Sequence, residues 1–112
     1  METTDIEKFQ NRTAEAVRVL AFFKAKPGMR RDLEDLLKTV IRATRQEPGN
    51  IAYVMHRSTN APDELMIDEI WVDIKSLEDH LKMPHMQSAL PKIKEMLDAP
   101  LRIETYSEVR AV

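Results

Sequence analysis

Hydrophobic and polar residues follow one of two periods along most of the chain. Over residues 16–26 the period is two. Val17, Val19, Ala21 and Phe23 fall on one face, and Arg18, Leu20, Phe22 and Lys24 on the other. That spacing predicts a strand, and Pro27-Gly28 stops it. Over residues 29–46 the period changes to three and four. Leu33, Leu36, Leu37, Val40, Ile41 and Thr44 make one apolar stripe, with Arg30, Arg31, Asp32, Glu34, Asp35, Lys38, Arg42 and Arg45 on the other side. This predicts an amphipathic helix, with acids early and bases late to suit its dipole, ended by Pro48-Gly49.

Alternation returns over 50–58 and 65–73, two strands joined by the polar turn Ser58 to Asp63 and expected to pair as a hairpin. In the second of these, Leu65, Ile67, Glu69 and Trp71 share a face. Residues 75–82 read as a short helix with Leu77 and Leu81 inward. Met83-Pro84 interrupts it, and Pro84 suits the first turn of a new helix over 84–98. Met86, Leu90, Ile93 and Leu97 form that helix's stripe, and Pro91 within it predicts a kink or split. Residues 101–109 alternate again and predict a last strand.

The order β-α-β-β-α-β predicts an α+β, ferredoxin-like fold: an antiparallel four-stranded sheet with helices on one face. The domain spans 16–112, and residues 1–15 read as an N-terminal extension in which Ile6 and Phe9 could anchor one helical turn. Helices cover only one face of such a sheet, yet Leu20, Phe22, Val54, Met66, Ile70 and Val72 make the other face apolar too. An exposed patch of that kind calls for a cover. A second copy of the chain, stacked sheet to sheet as a homodimer, is the simplest one. The extension folding over the sheet is the alternative.

Composition narrows the chemistry. The chain has 112 residues, enough for a single core. Seventeen Lys and Arg against nineteen Asp and Glu leave a net charge of −2, which argues against a nucleic-acid partner. Cys is absent, so thiolate catalysis, disulfides and Cys-ligated metal are excluded. Two glycines, Gly28 and Gly49, are too few for a phosphate-cradling loop. No apolar run is long enough for a membrane span. The polar, acidic N-terminus is unlike a signal peptide. A cytoplasmic location is the expectation.

Three histidines are present. His80 and His85 are five apart across the helix break, no standard metal-ligand spacing, and no Asp-rich loop offers a calcium site, so no metal is expected. His85 follows Pro84 at a helix N-terminus, where it could act as acid, base or hydrogen-bond donor to a substrate oxygen; capping or packing is the alternative. His80 falls in the polar stripe of its helix and is expected at the surface, and His56 is expected to be structural. Glu69 beside Trp71 must be paired or protonated if buried. A structural role, as a salt bridge to an Arg such as Arg57 or as a Glu at the sheet edge, is the favoured reading, a pocket acid beside an aromatic wall the other.

The segments Glu47-Pro48-Gly49-Asn50-Ile51-Ala52-Tyr53, His56-Arg57, Glu69-Ile70-Trp71 and His80-Leu81-Lys82-Met83-Pro84-His85-Met86 resemble the antibiotic biosynthesis monooxygenase (ABM) domain family, including its small quinol monooxygenase-like members. The likeness runs from about Val17 to Val109. It implies a dimeric α+β barrel with a pocket between sheet and helices in each subunit. Some members oxygenate electron-rich aromatic or quinol substrates with O₂, without metal, flavin or other cofactor. Such a substrate, once deprotonated, passes an electron to O₂ itself, so the protein binds the ring, removes a proton and excludes water. Carried over, the resemblance gives His85 and Trp71 as the catalytic positions, as proton-transfer residue and pocket wall. Phe22, Phe23, Ile67, Leu81, Met86 and Leu90 become the apolar lining, with Glu69 orienting its neighbours. Heme-degrading relatives carry Asn near the position of Phe22-Phe23, which argues against that activity here. Two other functions fit the resemblance: isomerisation of a small oxygenated or phosphorylated metabolite, and ligand binding without catalysis in a stress-response dimer.

Overall fold

The computed structural model describes residues 16–109 and Ala111; the extension at 1–15, with Ile6 and Phe9, lies outside the described residues. The elements are β1 (Val17–Lys24), α1 (Arg30–Thr44), β2 (Asn50–Arg57), β3 (Glu64–Trp71), α2 (Ile74–Leu81), α3 (Pro84–Met96) and β4 (Arg102–Tyr106). The sheet order is β2-β3-β1-β4 with every pair antiparallel, which is the expected ferredoxin-like topology.

Register places one residue set against the helices. Val17, Val19, Ala21 and Phe23 of β1 stand opposite Trp71, Glu69, Ile67 and Leu65 of β3. Tyr53 of β2 stands opposite Glu69 on the other side. These side chains and Leu33, Leu37, Val40 and Ile93 of the helices form the core. Gly28 turns the chain after β1 with φ +82°, a conformation that favours glycine. Asp73 starts α2 by accepting a hydrogen bond from the Ser76 amide at 2.8 Å.

Several expectations need correction. Pro91 does not split α3, which runs unbroken to Met96. Pro91 and Gln87, whose carbonyl loses a helical donor there, are both exposed, so no buried group is orphaned. The helix stops before 98 because Leu97 becomes extended and bridges Ala25. The last strand is shorter than its alternation, ending at Tyr106. Glu34, on the polar face of α1, is nearly covered because Arg30 and Arg57 close over its carboxylate. In α2 the inward residue is His80, at 1% exposure, while Leu81 is 44% exposed. With only two turns, α2 presents Leu77 and His80 to the interior and leaves Leu81 at a rim.

The other sheet face carries no helix. Leu20, Phe22, Met66, Ile70 and Val72 are half-buried there and Val54 is exposed. An Arg18–Asp68 ion pair of 2.9 Å crosses the same face. No helix among the described residues is long and apolar enough to cross a membrane.

Candidate active site

Two chain breaks build the polar centre. The first follows α1. Thr44 ends the helix fully buried, the Glu47 amide donates to the Thr44 carbonyl at 2.9 Å, and the Asn50 amide donates to the Glu47 carbonyl at 3.1 Å. This tight turn drops the Glu47 side chain into the interior. Gly49 is required by space: a Cβ there would stand 2.1 Å from Ser76 Oγ and 2.3 Å from Ser76 Cβ. The first turn of α2 thus lies directly on the Pro48-Gly49 turn. The second break, Lys82-Met83, separates α2 from α3, leaving His80 in the last turn of one helix and His85 in the first turn of the next.

The two breaks meet. His80 Nδ1 lies 2.7 Å from Glu47 Oε2, and His85 Nε2 lies 2.9 Å from the same oxygen and 3.3 Å from Thr44 Oγ1. The spacing of five residues does bring these histidines onto one carboxylate, because the Met83-Pro84 break turns the second ring back toward the first. Glu47 has no Lys or Arg within ion-pair distance among the described residues. The three donor atoms lie within 4.8 Å of one another, so they are the residues that could hold a divalent ion. As they stand, both rings are hydrogen-bonded to one oxygen.

Aromatic rings wall this centre. The His80 ring lies over Trp71 at 4.6 Å and 38°, and Tyr53 meets both edge-on, at 5.6 Å from His80 and 6.4 Å from Trp71. Trp71 Nε1 donates to Glu69 Oε1 at 2.9 Å. Glu69 is 5% exposed and has no cation partner among the described residues. The expected bridge to Arg57 does not form, because Arg57 sits at the far end of β2 and binds Glu34 at 2.9 Å. Burial therefore pushes Glu69 up to about 7, the charges of Asp68 and Glu47 adding and the Trp71 hydrogen bond opposing. Burial likewise raises Tyr53 well above an ordinary phenol, helped by Glu69 and Glu47. Burial lowers His80 below an ordinary imidazole despite the pull of Glu47, which favours its neutral form.

A neutral imidazole has one N–H. A carboxylate can only accept, so His80 places that proton on Nδ1, toward Glu47. Nε2 is then a bare lone pair. It has no hydrogen-bond partner among the described residues, and no sealed side-chain nitrogen or oxygen is left unpaired among them, so Nε2 keeps a small open surface in a ring that is almost wholly covered.

His80 lines a cavity of about 840 Å³ between the sheet and the helices α2 and α3. Of the residues singled out in the sequence, Phe23, Glu69, Leu81, Met86 and Leu90 line it, together with His80 and Tyr53. Four do not. Phe22 points to the opposite sheet face, where Arg102 lies 3.9 Å over its ring. Ile67 is packed under the cavity with no exposure, and Trp71 is equally covered, behind His80. His85 is behind Glu47 and partly open to solvent. Sequence reasoning missed His80 and Glu47 as site residues. The available signal was the Glu-Pro-Gly turn, a buried acid needing partners, and two histidines flanking one helix break. A second groove, about 690 Å³, lies at the helix-free face near Arg18 and Tyr106, away from the polar centre.

Comparison with known proteins fits this fold. The family model described as antibiotic biosynthesis monooxygenase matches residues 16–92. YcnE of Bacillus subtilis strain 168, provisionally assigned as a monooxygenase, is 28% identical over 83 residues, covering 74% of this chain and 87% of YcnE. Among solved structures, a conserved protein from Methanosarcina mazei Go1 superposes with a TM-score of 0.85 at 29% identity, covering 89% of this chain and 99% of that one. Rv0793 from Mycobacterium tuberculosis gives 0.81 at 27% identity, covering 86% and 97%. The chain belongs to the antibiotic biosynthesis monooxygenase family.

Proposed function

We propose that this protein is a monooxygenase that oxidises a quinol or related aromatic hydroxyl compound with O₂ without a bound cofactor, with His80 in place of His85 as the group that takes the substrate proton. The observation that carries this reading is the bare Nε2 of His80 at the wall of an apolar cavity, with Nδ1 held on buried Glu47. A carboxylate behind an imidazole fixes its tautomer and stabilises the imidazolium that forms. Phe23, Leu90 and Met86 suit a planar ring, and Tyr53 and Glu69 offer polar atoms at the same edge.

The chemistry balances without a further reductant. His80 takes a hydroxyl proton, and the electron-rich anion passes one electron to O₂. The resulting radicals join through a new C–O bond. One oxygen atom stays on the ring; the other leaves as water with the two hydrogens that the quinol loses. Apolar walls keep bulk water from the anion. A second copy of the chain over the helix-free face, giving a homodimer, belongs to the same reading, supported by the half-buried Leu20, Phe22, Met66 and Ile70.

The test is O₂ uptake with a reduced naphthoquinol under aerobic and anaerobic conditions, for the native chain and His80→Gln. Loss of a positioned proton acceptor lowers kcat by about 10² or more. Substrate conversion that proceeds equally without O₂ would replace this reading with an isomerase using the same base. Unchanged O₂ uptake in His80→Gln would remove His80 from the chemistry.

A further inference from the structure

We propose that Glu47, His80 and His85 form a binding site for a divalent ion of the zinc class, and that an ion held there removes the lone pair that His80 offers to the cavity. The site stands apart from the proposed activity. Its effect on turnover rests on the reading of His80 as the proton acceptor.

The donor set selects the ion. Two imidazole nitrogens and one carboxylate oxygen suit zinc and its transition-metal neighbours, whereas calcium and magnesium take oxygen ligands. Helix α2 supplies His80 from its last turn, α3 supplies His85 from its first, and the turn after α1 supplies Glu47. A spacing of five within one helix would part the two rings; across the break at Lys82-Met83 they meet. His80 Nδ1 and His85 Nε2 lie 2.7 Å and 2.9 Å from Glu47 Oε2, and all three donor atoms lie within 4.8 Å of one another. Ligands held about 2.0–2.1 Å from a tetrahedral zinc stand about 3.4 Å apart, so each nitrogen–oxygen pair has to open by about 0.5–0.7 Å. A Glu side chain in a turn and a His in the first turn of a helix can make that shift.

Both imidazoles bind such an ion in the neutral form, and each keeps its one proton on the other nitrogen. His80 then carries N–H at Nε2, facing the cavity. His85 carries it at Nδ1, in a side chain that is 21% exposed.

A second observation calls for positive charge at this place. Glu47 and Glu69 are both buried, at 7% and 5% exposure, and neither has a Lys or Arg partner among the described residues. A carboxylate taken out of water needs a counter-charge, and a divalent ion on Glu47 supplies one. Glu47 Oε1 has no hydrogen-bond partner among the described residues, and no sealed side-chain oxygen is left unpaired among them. Oε1 therefore keeps an open edge for a second bond to the ion or for a metal-bound water.

The consequence at the cavity follows from the ring. With Nδ1 on the ion and the proton on Nε2, His80 has no lone pair left to take a substrate proton. The metal-free protein turns over and the metal-loaded protein does not.

Two measurements on the full chain test the site without turnover. In the first, chelator-stripped protein is titrated with zinc chloride by calorimetry, beside Glu47→Gln, His85→Gln and the exposed His56→Gln as control, with magnesium as competitor. One zinc per chain should bind to the native and His56→Gln proteins, and magnesium should not displace it. Glu47→Gln and His85→Gln should bind zinc at least about 100-fold more weakly, since even a group that merely supports a ligand is worth about 10- to 100-fold. A native chain that takes up no zinc, or four proteins that bind it equally, overturns the site. The second measurement, X-ray absorption of the zinc-loaded native chain, needs no variant to fold. It should show two imidazoles and carboxylate oxygen around the ion; one imidazole or none overturns the site.

Quinol turnover then tests the effect. Activity of the stripped native chain should fall in step with zinc occupancy and return when chelator is added. Full turnover at full occupancy overturns the switch and leaves the site. His80→Gln, assayed free of metal, separately decides whether His80 takes the substrate proton.

Discussion

Replacing Glu69 by Gln should make the protein more stable at pH 8 and leave it nearly unchanged below pH 4.5. Glu69 is buried on β3 among Val19, Tyr53 and Trp71 and has no cation beside it. Its carboxyl is raised from the usual 4.5 to about 7. A raised carboxyl favours the fold in its protonated form, so its contribution is intact below about pH 4.5. The contribution is lost as pH climbs to about 7, where the folded protein must carry a buried negative charge. At 1.36 kcal/mol per pH unit, the interval from 4.5 to about 7 amounts to about 3 kcal/mol. Gln keeps the acceptor for Trp71 Nε1 and carries no charge. Its new amide N–H groups face the cavity that Glu69 already lines, so they are not sealed without partners. Urea unfolding of both proteins at pH 5 and pH 8, at one fixed protein concentration because association shifts apparent stability, reads the difference. The variant should gain about 3 kcal/mol on the native chain at pH 8 and much less at pH 5. A stability difference that stays constant between the two would refute the argument, because a purely steric or hydrogen-bonding effect of Gln carries no such pH dependence.

Gly49→Ala should destabilise by about 1–3 kcal/mol, the usual cost of overpacking, because its Cβ meets Ser76 at 2.1 Å. The Gly49→Ala/Ser76→Gly double variant should lose less than the two single losses combined, and denaturant midpoints check both. Asp73→Ala removes the side chain that accepts the Ser76 amide and should cost about 1 kcal/mol. The same loss should appear as earlier thermal melting. Val54→Asp places a charge on the helix-free face at an exposed position. It should leave the fold intact by circular dichroism and convert a dimer to a monomer by light scattering at micromolar concentration. A native chain that is already monomeric would defeat the dimer reading.

The strands, the order of elements and the apolar stripe of α1 were legible in the chain because each is a local period: two for a half-buried strand, three and four for a helix face. The family signatures are local as well, and Glu47, His80 and His85 all fall within them. Where local reasoning failed, the tertiary surroundings had decided the outcome. Pro91 sits on an exposed face of α3, so its missing hydrogen bond leaves the helix whole. His80 reads as polar on its own short helix, yet the turn after α1 brings Glu47 to its ring and makes burial tolerable. Arg57 is on the strand that pairs with that of Glu69, but its place at the far end of β2 carries it to Glu34.

Sequence alone thus determined a Cys-free, Gly-poor ferredoxin-like domain with two apolar sheet faces and a Trp beside a Glu. Only the tertiary structure decided which residues meet. It set His80 at the cavity wall, Trp71 behind it, Glu47 between two histidines, and Phe22 on the opposite face. The reason is physical. Secondary structure follows from periodicity within a few residues. The protonation of Glu69 and His80 instead follows from burial and from charges contributed by segments tens of residues apart.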